Sequence, residues 1–546
     1  MKVDEELRMA DCATVWKTYL GFLDFDTDGY MEIQNRLMLE QIDLWSNCGL
    51  GQKFLNGKKP KTVAEFRETV PLTTYEDYAE ILLEQREDML PAPPAIWIKT
   101  TWEGGIRPLK VAPYTQAMLD TYRSNTAACL ILFGSYGKYK FRLGKKVMSG
   151  FAPLPYPTGL MGLVLEQKTG FELMPSREEA KTMSFSQQSK EGIKLSLKKG
   201  VDYFFSMGSV AYVISNFLID MLNGGSSGGG GGHTSLCPSM IFRILRAKLR
   251  ARIQNRGVLP KDLFKLTALV CAGTDNACYK DELEQMWGIR PMELFAGTEP
   301  TLIGCETWSR EDIYFFPDAC FYEFLPISQS IALHNDKNAP HATCLIGEVR
   351  PGEKYELIIS VLKGGAFARY RTGDVYLCVG LSSAEDDIHI PRFRYVDRVP
   401  WVIDIAGFTR ITEDSIGSVI EISHLPIGDW CAAKEFDEKG HPFLHIYLEM
   451  QEGHAVNFAL TQKILVEHIG IYFKYMDSDY NDLKRLLGMD PLQVSVLSNG
   501  TFGNYADKKG HRITRINAPA EEIRFLRSLQ SDAYFDSLSV KAEDYE

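Results

Sequence analysis

The stretch from Tyr355 to Ile416 holds the residues best suited to chemistry. Two β-rich runs there flank Tyr370-Arg371-Thr372-Gly373-Asp374. A glycine beside an aspartate at a turn between strands puts a carboxylate where backbone can approach a ligand closely. Such a carboxylate suits a two-point grip on neighbouring hydroxyls, as on a ribose. Taken alone, the same five residues also describe a β-turn with a solvated aspartate. Asp24-Phe25-Asp26-Thr27-Asp28-Gly29 matches the first half of a calcium-binding loop. Its twelfth position is Asn35 instead of a bidentate glutamate, so an acidic helix-capping turn is the better reading. None of the 10 histidines forms a cluster with metal-ligand spacing or pairs with an identifiable nucleophile.

These residues need a scaffold, and the pattern supplies one. Leu269–Thr274 reads as a buried strand, Tyr279–Trp287 as a helix, and Pro291–Glu299 as a second strand ending in a loop. That is a βαβ unit, which implies a parallel sheet faced by helices. Upstream, Asp4–Leu23 and Tyr30–Ser46 carry helical periodicity. Val70–Tyr78 starts another helix, with Thr73 or Thr74 as N-cap and Asp77 in the first turn. The run Tyr203–Leu222 is apolar but interrupted by Ser206, Gly208, Ser209, Ser215, Asn216 and Asp220, which favours a buried amphipathic helix over a membrane span. Asn223–Gly232 is Gly/Ser-rich and reads as a surface loop; it lacks the Lys-Ser/Thr ending of a P-loop. Beyond Ile416, Phe443–Met450 reads as a strand, Ala455–Tyr472 as a helix and the run from Pro491 as another strand. A domain boundary is therefore expected after Ile416, with a large domain over 1–416 and a small α+β domain over 417–546.

Composition narrows the class. A chain of 546 residues exceeds one core. Hydrophobic content of 45% and charged content of 24% are those of a soluble globular protein. A net charge of −11 argues against nucleic acid as the main partner. The 11 cysteines are scattered, with no zinc spacing, as reduced thiols in a cytoplasmic protein would be.

Three ordered segments sharpen this reading: Phe367–Val375 (FARYRTGDV), Ile390–Arg398 (IPRFRYVDR) and Val402–Glu413 (VIDIAGFTRITE). In order and spacing they resemble the Gretchen Hagen, or auxin-responsive, family of acyl-acid amido synthetases within the adenylate-forming (acyl-CoA synthetase/luciferase-like) superfamily. VPLTTYEDYAEIL near residue 75 and PLQVSVLSNGTF at Pro491–Phe502 extend the likeness over most of the chain. The resemblance implies an α/β adenylate-forming fold, with a large N-terminal domain that binds ATP and acyl acid and a small mobile C-terminal domain. It implies ATP and Mg2+ as cofactors, and a small carboxylic acid and an amino acid as substrates. It implies neither a membrane nor a nucleic-acid partner, and a monomer or weak dimer. The activity implied is adenylation of the acid followed by amide formation. An acid–CoA ligase and a non-catalytic nucleotide- or acyl-binding member remain alternatives.

Residue by residue, the resemblance makes Glu299 the magnesium ligand and Thr298 an ATP contact, within Phe295-Ala296-Gly297-Thr298-Glu299. Phe321–Pro326 (FYEFLP) matches the family phrase that follows. Asp374 falls on the ribose-binding position and Arg398 on the hinge-side cation; Arg410 and Glu413 stand near two further motif positions. The family's phosphate loop maps to Thr101–Thr115, where Lys110, Pro113 and Thr115 fit but the Ser-Ser-Gly-Thr core becomes Thr101-Trp102-Glu103-Gly104. Gly104, Gly105 and Arg107 still offer backbone N–H groups and a cation to phosphate, while Glu103 brings the wrong charge. The C-terminal catalytic lysine has two registers: Lys509, or a position filled by Asn517. An asparagine cannot stabilise phosphate charge as an ammonium does.

Overall fold

The structure is a computed structural model of the chain. It describes residues 10–101, 109–151, 154–168, 170–224, 238–405, 407, 409–451, 463–464, 467–468 and 492–529. The expected phosphate loop at 102–108, the Gly-rich run at 225–232 and most of the helix expected over 455–472 lie outside the described residues. The chain divides into two compact units, the second beginning at Pro400.

In the first unit, helix α1 (Cys12–Leu20) starts at Asp11, whose carboxylate accepts from the Ala13 and Thr14 N–H groups. Helix α2 (Thr27–Ser46) starts at Asp26, whose carboxylate accepts from Gly29 N–H. That cap is what the acidic run around Asp24 does here: it satisfies an orphan helix donor. Helix α3 spans Glu76–Leu83, later than the start expected near Thr73. The Asp77 carboxylate reaches back to accept the Thr74 N–H, while the Thr73 hydroxyl donates to Ala368 O instead of capping.

The central sheet assembles from β2 (Lys146–Ser149), β3 (Glu172–Met174), β4 (Tyr203–Met207), β5 (Ala268–Ala272), β6 (Met292–Gly297), β7 (Thr301–Glu306), β8 (Ile313–Phe315), β9 (Cys320–Pro326), β10 (Lys354–Val361), β11 (Tyr370–Gly380) and β12 (Arg392–Arg398). Its order is β9-β10-β11-β12-β8-β7-β6-β5-β4-β2-β3. The five strands from β3 to β6 in this order are parallel; the rest pair antiparallel. A separate strand β1 (Leu109–Thr115) pairs outside this sheet. The expected βαβ unit is present: β5, helix α6 below, and β6, with Val270 opposite Met292.

The apolar run Tyr203–Leu222 is not one helix. Its aromatic start, Tyr203–Met207, forms strand β4, and only Gly208–Asn223 is helix α4. Aromatic side chains suit the pleated, buried surface. The switch falls at Gly208, whose N–H donates to Asn276 Oδ1 at 3.0 Å. A Cβ there would lie 2.7 Å from that oxygen, so only glycine allows the approach. Helix α5 (Pro238–Ile253) follows, and α6 (Lys280–Trp287) joins β5 to β6. No helix among the described residues is long and apolar enough to cross a membrane.

The second unit has its own core. Strands β13 (Ile403–Ile405) and β14 (Thr409–Ile411) form a hairpin, followed by helix α7 (Glu413–Ser423). A three-stranded sheet holds β15 (Ile427–Phe436), β16 (Pro442–Met450) and β17 (Leu492–Leu497). Helices α8 (Thr501–Lys509) and α9 (Ala520–Ser528) complete it. Alternation sorts the sheet's side chains: Trp430 and Ala432 pack with Ile403, Ile405, Ile411 and Ile416. Cys431 and Ala433 point the other way, toward Phe502, Tyr505, Ile523 and Leu526. Because Ile403, Ile405, Ile411 and Ile416 belong to this core, the unit starts earlier than a boundary drawn after Ile416.

Candidate active site

Three segments far apart in sequence meet just past the carboxyl end of β6. Glu299 follows that strand by two residues, in the turn to β7. Lys110 Nζ lies 3.1 Å from Glu299 Oε1. The Tyr370 hydroxyl, at the start of β11, donates to the same oxygen at 2.7 Å, and Lys110 Nζ sits 3.3 Å from that hydroxyl. The Lys110 and Glu299 side chains are 7% and 12% exposed, enough burial for their attraction to escape most solvent screening.

Strand β1 explains the placement. Lys110 and Tyr114 share one face of it, four residues apart. The Tyr114 hydroxyl donates to the carbonyls of Gly297 and Thr298 at 3.1 and 2.9 Å, so one strand both grips the turn and delivers the cation. Thr298 is buried. The Lys110 ammonium also lies over the Tyr75 ring, 5.5 Å from its centroid.

A second element of the site sits where β11 meets β12. Asp374 and Arg398 are cross-strand partners. Arg398 Nε lies 3.2 Å from Asp374 Oδ1, and Arg398 Nη1 donates to Thr372 O at 2.9 Å. Gly373, between them, has φ +73°, a conformation that favours glycine. Its carbonyl accepts the Val399 N–H at 2.9 Å, and the Thr372 hydroxyl accepts the Asp374 N–H at 3.1 Å. The carboxylate is thus set by backbone on both sides, not left on a loose turn.

Sequence reasoning missed what surrounds these two carboxylates. Tyr370 was read as part of a turn motif, yet it is a direct partner of Glu299. The flanking arginines are scaffold: Arg369 forks onto the buried Glu323 of the FYEFLP segment, at 2.9 and 3.0 Å. Arg371 Nη2 meets the buried Glu356 at 2.7 Å. A signal existed, since two arginines two residues apart in a β-rich segment fall on one face and need counter-charges where that face is buried.

Of the remaining expected site residues, Gly104, Gly105 and Arg107 lie outside the described residues, as does the Thr101 side chain. In the second unit, Lys509 ends α8 with its ammonium 4.6 Å from the centroid of the Phe525 ring. Asn517 is committed to structure: its side-chain nitrogen donates to Pro400 O and Val402 O, and its oxygen accepts Lys434 N–H. Arg410 pairs with the buried Asp404 at 3.4 Å, and Glu413 lies 3.5 Å from Arg515.

A different charged cluster lies at the other end of β6. Lys280, the first residue of α6, meets Glu293 at 2.7 Å and Glu306 at 2.6 Å. Burial works against the Lys280 ammonium, but the two carboxylates together hold its pKa above the usual lysine value. Burial pushes Glu306 up to about 7 against the pull of Lys280. A cavity of about 320 Å³ adjoins them, lined also by Arg290, Arg310 and Arg394.

This fold, a mixed sheet with a second small α/β unit, is that of the adenylate-forming enzymes. A solved structure described as AtGH3.15 acyl acid amido synthetase in complex with 2,4-DB is similar over 95% of this chain and 96% of its own, at 16% identity and a TM-score of 0.51. A 2-hydroxyisobutyryl-CoA ligase in complex with 2-HIB-AMP and CoA is similar over 88% of each chain, at 13% identity and a TM-score of 0.55. At such identities the likeness carries the fold alone. No curated protein matches the sequence. Residues 313–398, the segment containing Tyr370, Asp374 and Arg398, match the model of the GH3 family central domain.

Proposed function

We propose that the chain is an acid–amino acid ligase. The carboxylate of a small organic acid attacks the α-phosphorus of ATP, giving an acyl-adenylate and pyrophosphate. The amine of an amino acid then attacks the acyl carbonyl, and AMP leaves as the amide forms. The observation that carries this reading is the convergence of Lys110, Glu299 and Tyr370 from three separate motifs on one oxygen of Glu299.

The residues fit the cofactors. Among the described residues no cluster of three His, Cys, Asp or Glu side chains could hold a metal ion. Magnesium that bridges phosphates needs only one or two protein carboxylates, since the nucleotide supplies the other oxygens. Glu299 is the carboxylate for that task, held in place by Lys110 and Tyr370. The bound ion would neutralise charge on the phosphates. Asp374, fixed by Gly373 and Arg398, would take the ribose hydroxyls, and Thr298 would contact the nucleotide. Lys110, beside Glu299, offers positive charge where the leaving pyrophosphate develops its own. Arg107, Gly104, Gly105 and Thr101 would complete the phosphate contacts, and Lys509, not Asn517, is our choice for the lysine that meets the adenylate. Ten described cysteines are free thiols, which suits a reducing compartment such as the cytoplasm.

The test is acid-dependent ATP–pyrophosphate exchange across a panel of small carboxylic acids. Exchange with at least one acid is expected. In Glu299→Ala its magnesium-dependent rate should fall about 10²–10³-fold. Wild-type exchange that survives this substitution unchanged would remove Glu299 from the mechanism. No exchange with any acid would leave a nucleotide-binding protein without this activity.

A further inference from the structure

Helix α5, Pro238–Ile253, has the sequence PSMIFRILRAKLRARI. It carries five cations, Arg243, Arg246, Lys248, Arg250 and Arg252, and no acidic residue, in a chain whose net charge is −11. It also carries large apolar side chains that face water: Phe242 is 67% exposed, Leu245 62%, Leu249 62% and Ile253 76%. Scattered exposed apolar residues are ordinary, but four in register on one helix are not.

The arrangement around the helix axis is ordered. At about 100° per residue, Phe242, Leu245, Leu249 and Ile253 fall on one stripe. Met240, Ala247 and Ala251 fall on the opposite side and are buried. Arg243, Arg246 and Arg250 line one shoulder of the exposed stripe, and Lys248 and Arg252 the other. All five are exposed. The helix is thus anchored by Met240, Ala247 and Ala251 on its inner face, while its outer face presents an apolar ridge between two rows of cations, about 17 Å long.

We infer that α5 is a docking surface for an anionic phospholipid membrane, in which the ridge enters the headgroup–acyl boundary and the cations meet lipid phosphates. The charge pattern selects this occupant. Apolar residues flanked by cations on one side of a helix match the interface of an anionic bilayer, where both terms add. A second copy of this chain, docking the same face, would oppose five cations to five. A partner that encircles basic amphipathic helices needs both faces, and the inner one is taken by Met240, Ala247 and Ala251. A nucleic acid would use the cations but leave the ridge wet. Such a helix lies on a membrane and does not span it, in keeping with the absence of a spanning helix among the described residues.

The experiment is vesicle co-sedimentation of the full chain with phosphatidylglycerol-containing and pure phosphatidylcholine vesicles. The variant Phe242→Ser/Leu245→Ser/Leu249→Ser changes exposed side chains only, so its melting temperature should match the wild type. The variant Arg246→Gln/Arg250→Gln removes charge and keeps the ridge. The wild type should partition onto anionic vesicles and not onto neutral ones. The serine variant should bind at least tenfold more weakly at unchanged charge, and the glutamine variant about 25-fold more weakly, near fivefold per cation. Three results would overturn the inference: no binding to anionic vesicles; equal binding by wild type and serine variant, which would mean charge adsorption alone; or a wild-type dimer in sedimentation velocity that the serine variant converts to monomer, which would assign the ridge to a second copy.

Discussion

Strand β6 joins two lysine–carboxylate clusters that differ in their place on the sheet. At its start, Glu293 and Glu306 share the Lys280 ammonium. Past its end, Glu299 meets Lys110 and the Tyr370 hydroxyl. The first cluster holds α6 against β6 and β7, and Arg310 adds positive charge near Glu306. The second stands at the carboxyl end of a parallel strand, where open α/β sheets bind their ligands. The same pair of residue types stands at both ends of one strand, and it is position on the sheet that leads us to propose scaffold for the first and machinery for the second.

The strongest way to break this distinction is to remove the scaffold cation. Lys280→Ala leaves two buried carboxylates facing each other, and should cost about 3–5 kcal/mol of stability. Chemical denaturation measures this directly. Pyrophosphate exchange per folded molecule should be retained. A variant as stable as wild type but inactive would reverse the roles assigned to the two clusters.

A smaller effect tests the neighbouring carboxylate. Asp374→Ala removes the proposed grip on ribose and should weaken ATP binding by about 1.5–3 kcal/mol, the range for a charge-assisted hydrogen bond. Calorimetric titration with ATP gives the number. Unchanged affinity would return Asp374 to the role of a strand-pairing partner for Arg398.

Tyr370→Phe is gentler still. The ring remains packed beside Phe367 and Tyr78, while the hydroxyl's 2.7 Å bond to Glu299 and its 3.3 Å contact with Lys110 are lost. A typical hydrogen bond contributes about 1 kcal/mol, so the exchange rate should fall roughly fivefold with stability nearly unchanged. A loss as deep as that of Glu299→Ala would mean the hydroxyl touches the reacting groups itself.

How much of this was legible beforehand follows the range of the forces involved. The βαβ unit around β5 and β6 was readable, because periodicity and turn residues are local. Glu299 and Asp374 were singled out by their motif positions, Asp374 also by the glycine before it, and their roles stay proposals. The early part of the Tyr203–Leu222 run was misread, because the break at Gly208 is enforced by Asn276, nearly 70 residues away, and no local pattern marks it. The domain boundary was placed too late for a similar reason. Ile403, Ile405 and Ile411 look like any β-rich run until β15 and β16 are there to bury them. The Lys110–Glu299–Tyr370 convergence and the arginine forks on Glu323 and Glu356 are contacts between residues that sequence spacing does not relate. Only the fold brings them together.

The last test reads the charge of the Lys280 cluster directly. If one ammonium cannot balance both Glu293 and Glu306, one carboxyl keeps its proton, and burial assigns it to Glu306, raised to about 7. A carboxyl whose folded pKa lies above its unfolded value binds the proton more tightly when folded. The stability this contributes is present below the unfolded pKa of about 4.5 and is lost as pH rises through about 7. Glu306→Gln removes the titrating carboxyl, but its single oxygen can serve either Lys280 or the Glu293 N–H, which Glu306 now accepts on separate oxygens at 2.6 and 2.8 Å. At pH 5 the variant should therefore be less stable than the wild type by about 1–3 kcal/mol, the cost of one buried donor left unpaired. Between pH 5 and 8 its melting temperature should fall less than that of the wild type. A variant destabilised equally at every pH would show that Glu306 is charged throughout, and that the Lys280 cluster is held by two full ion pairs after all.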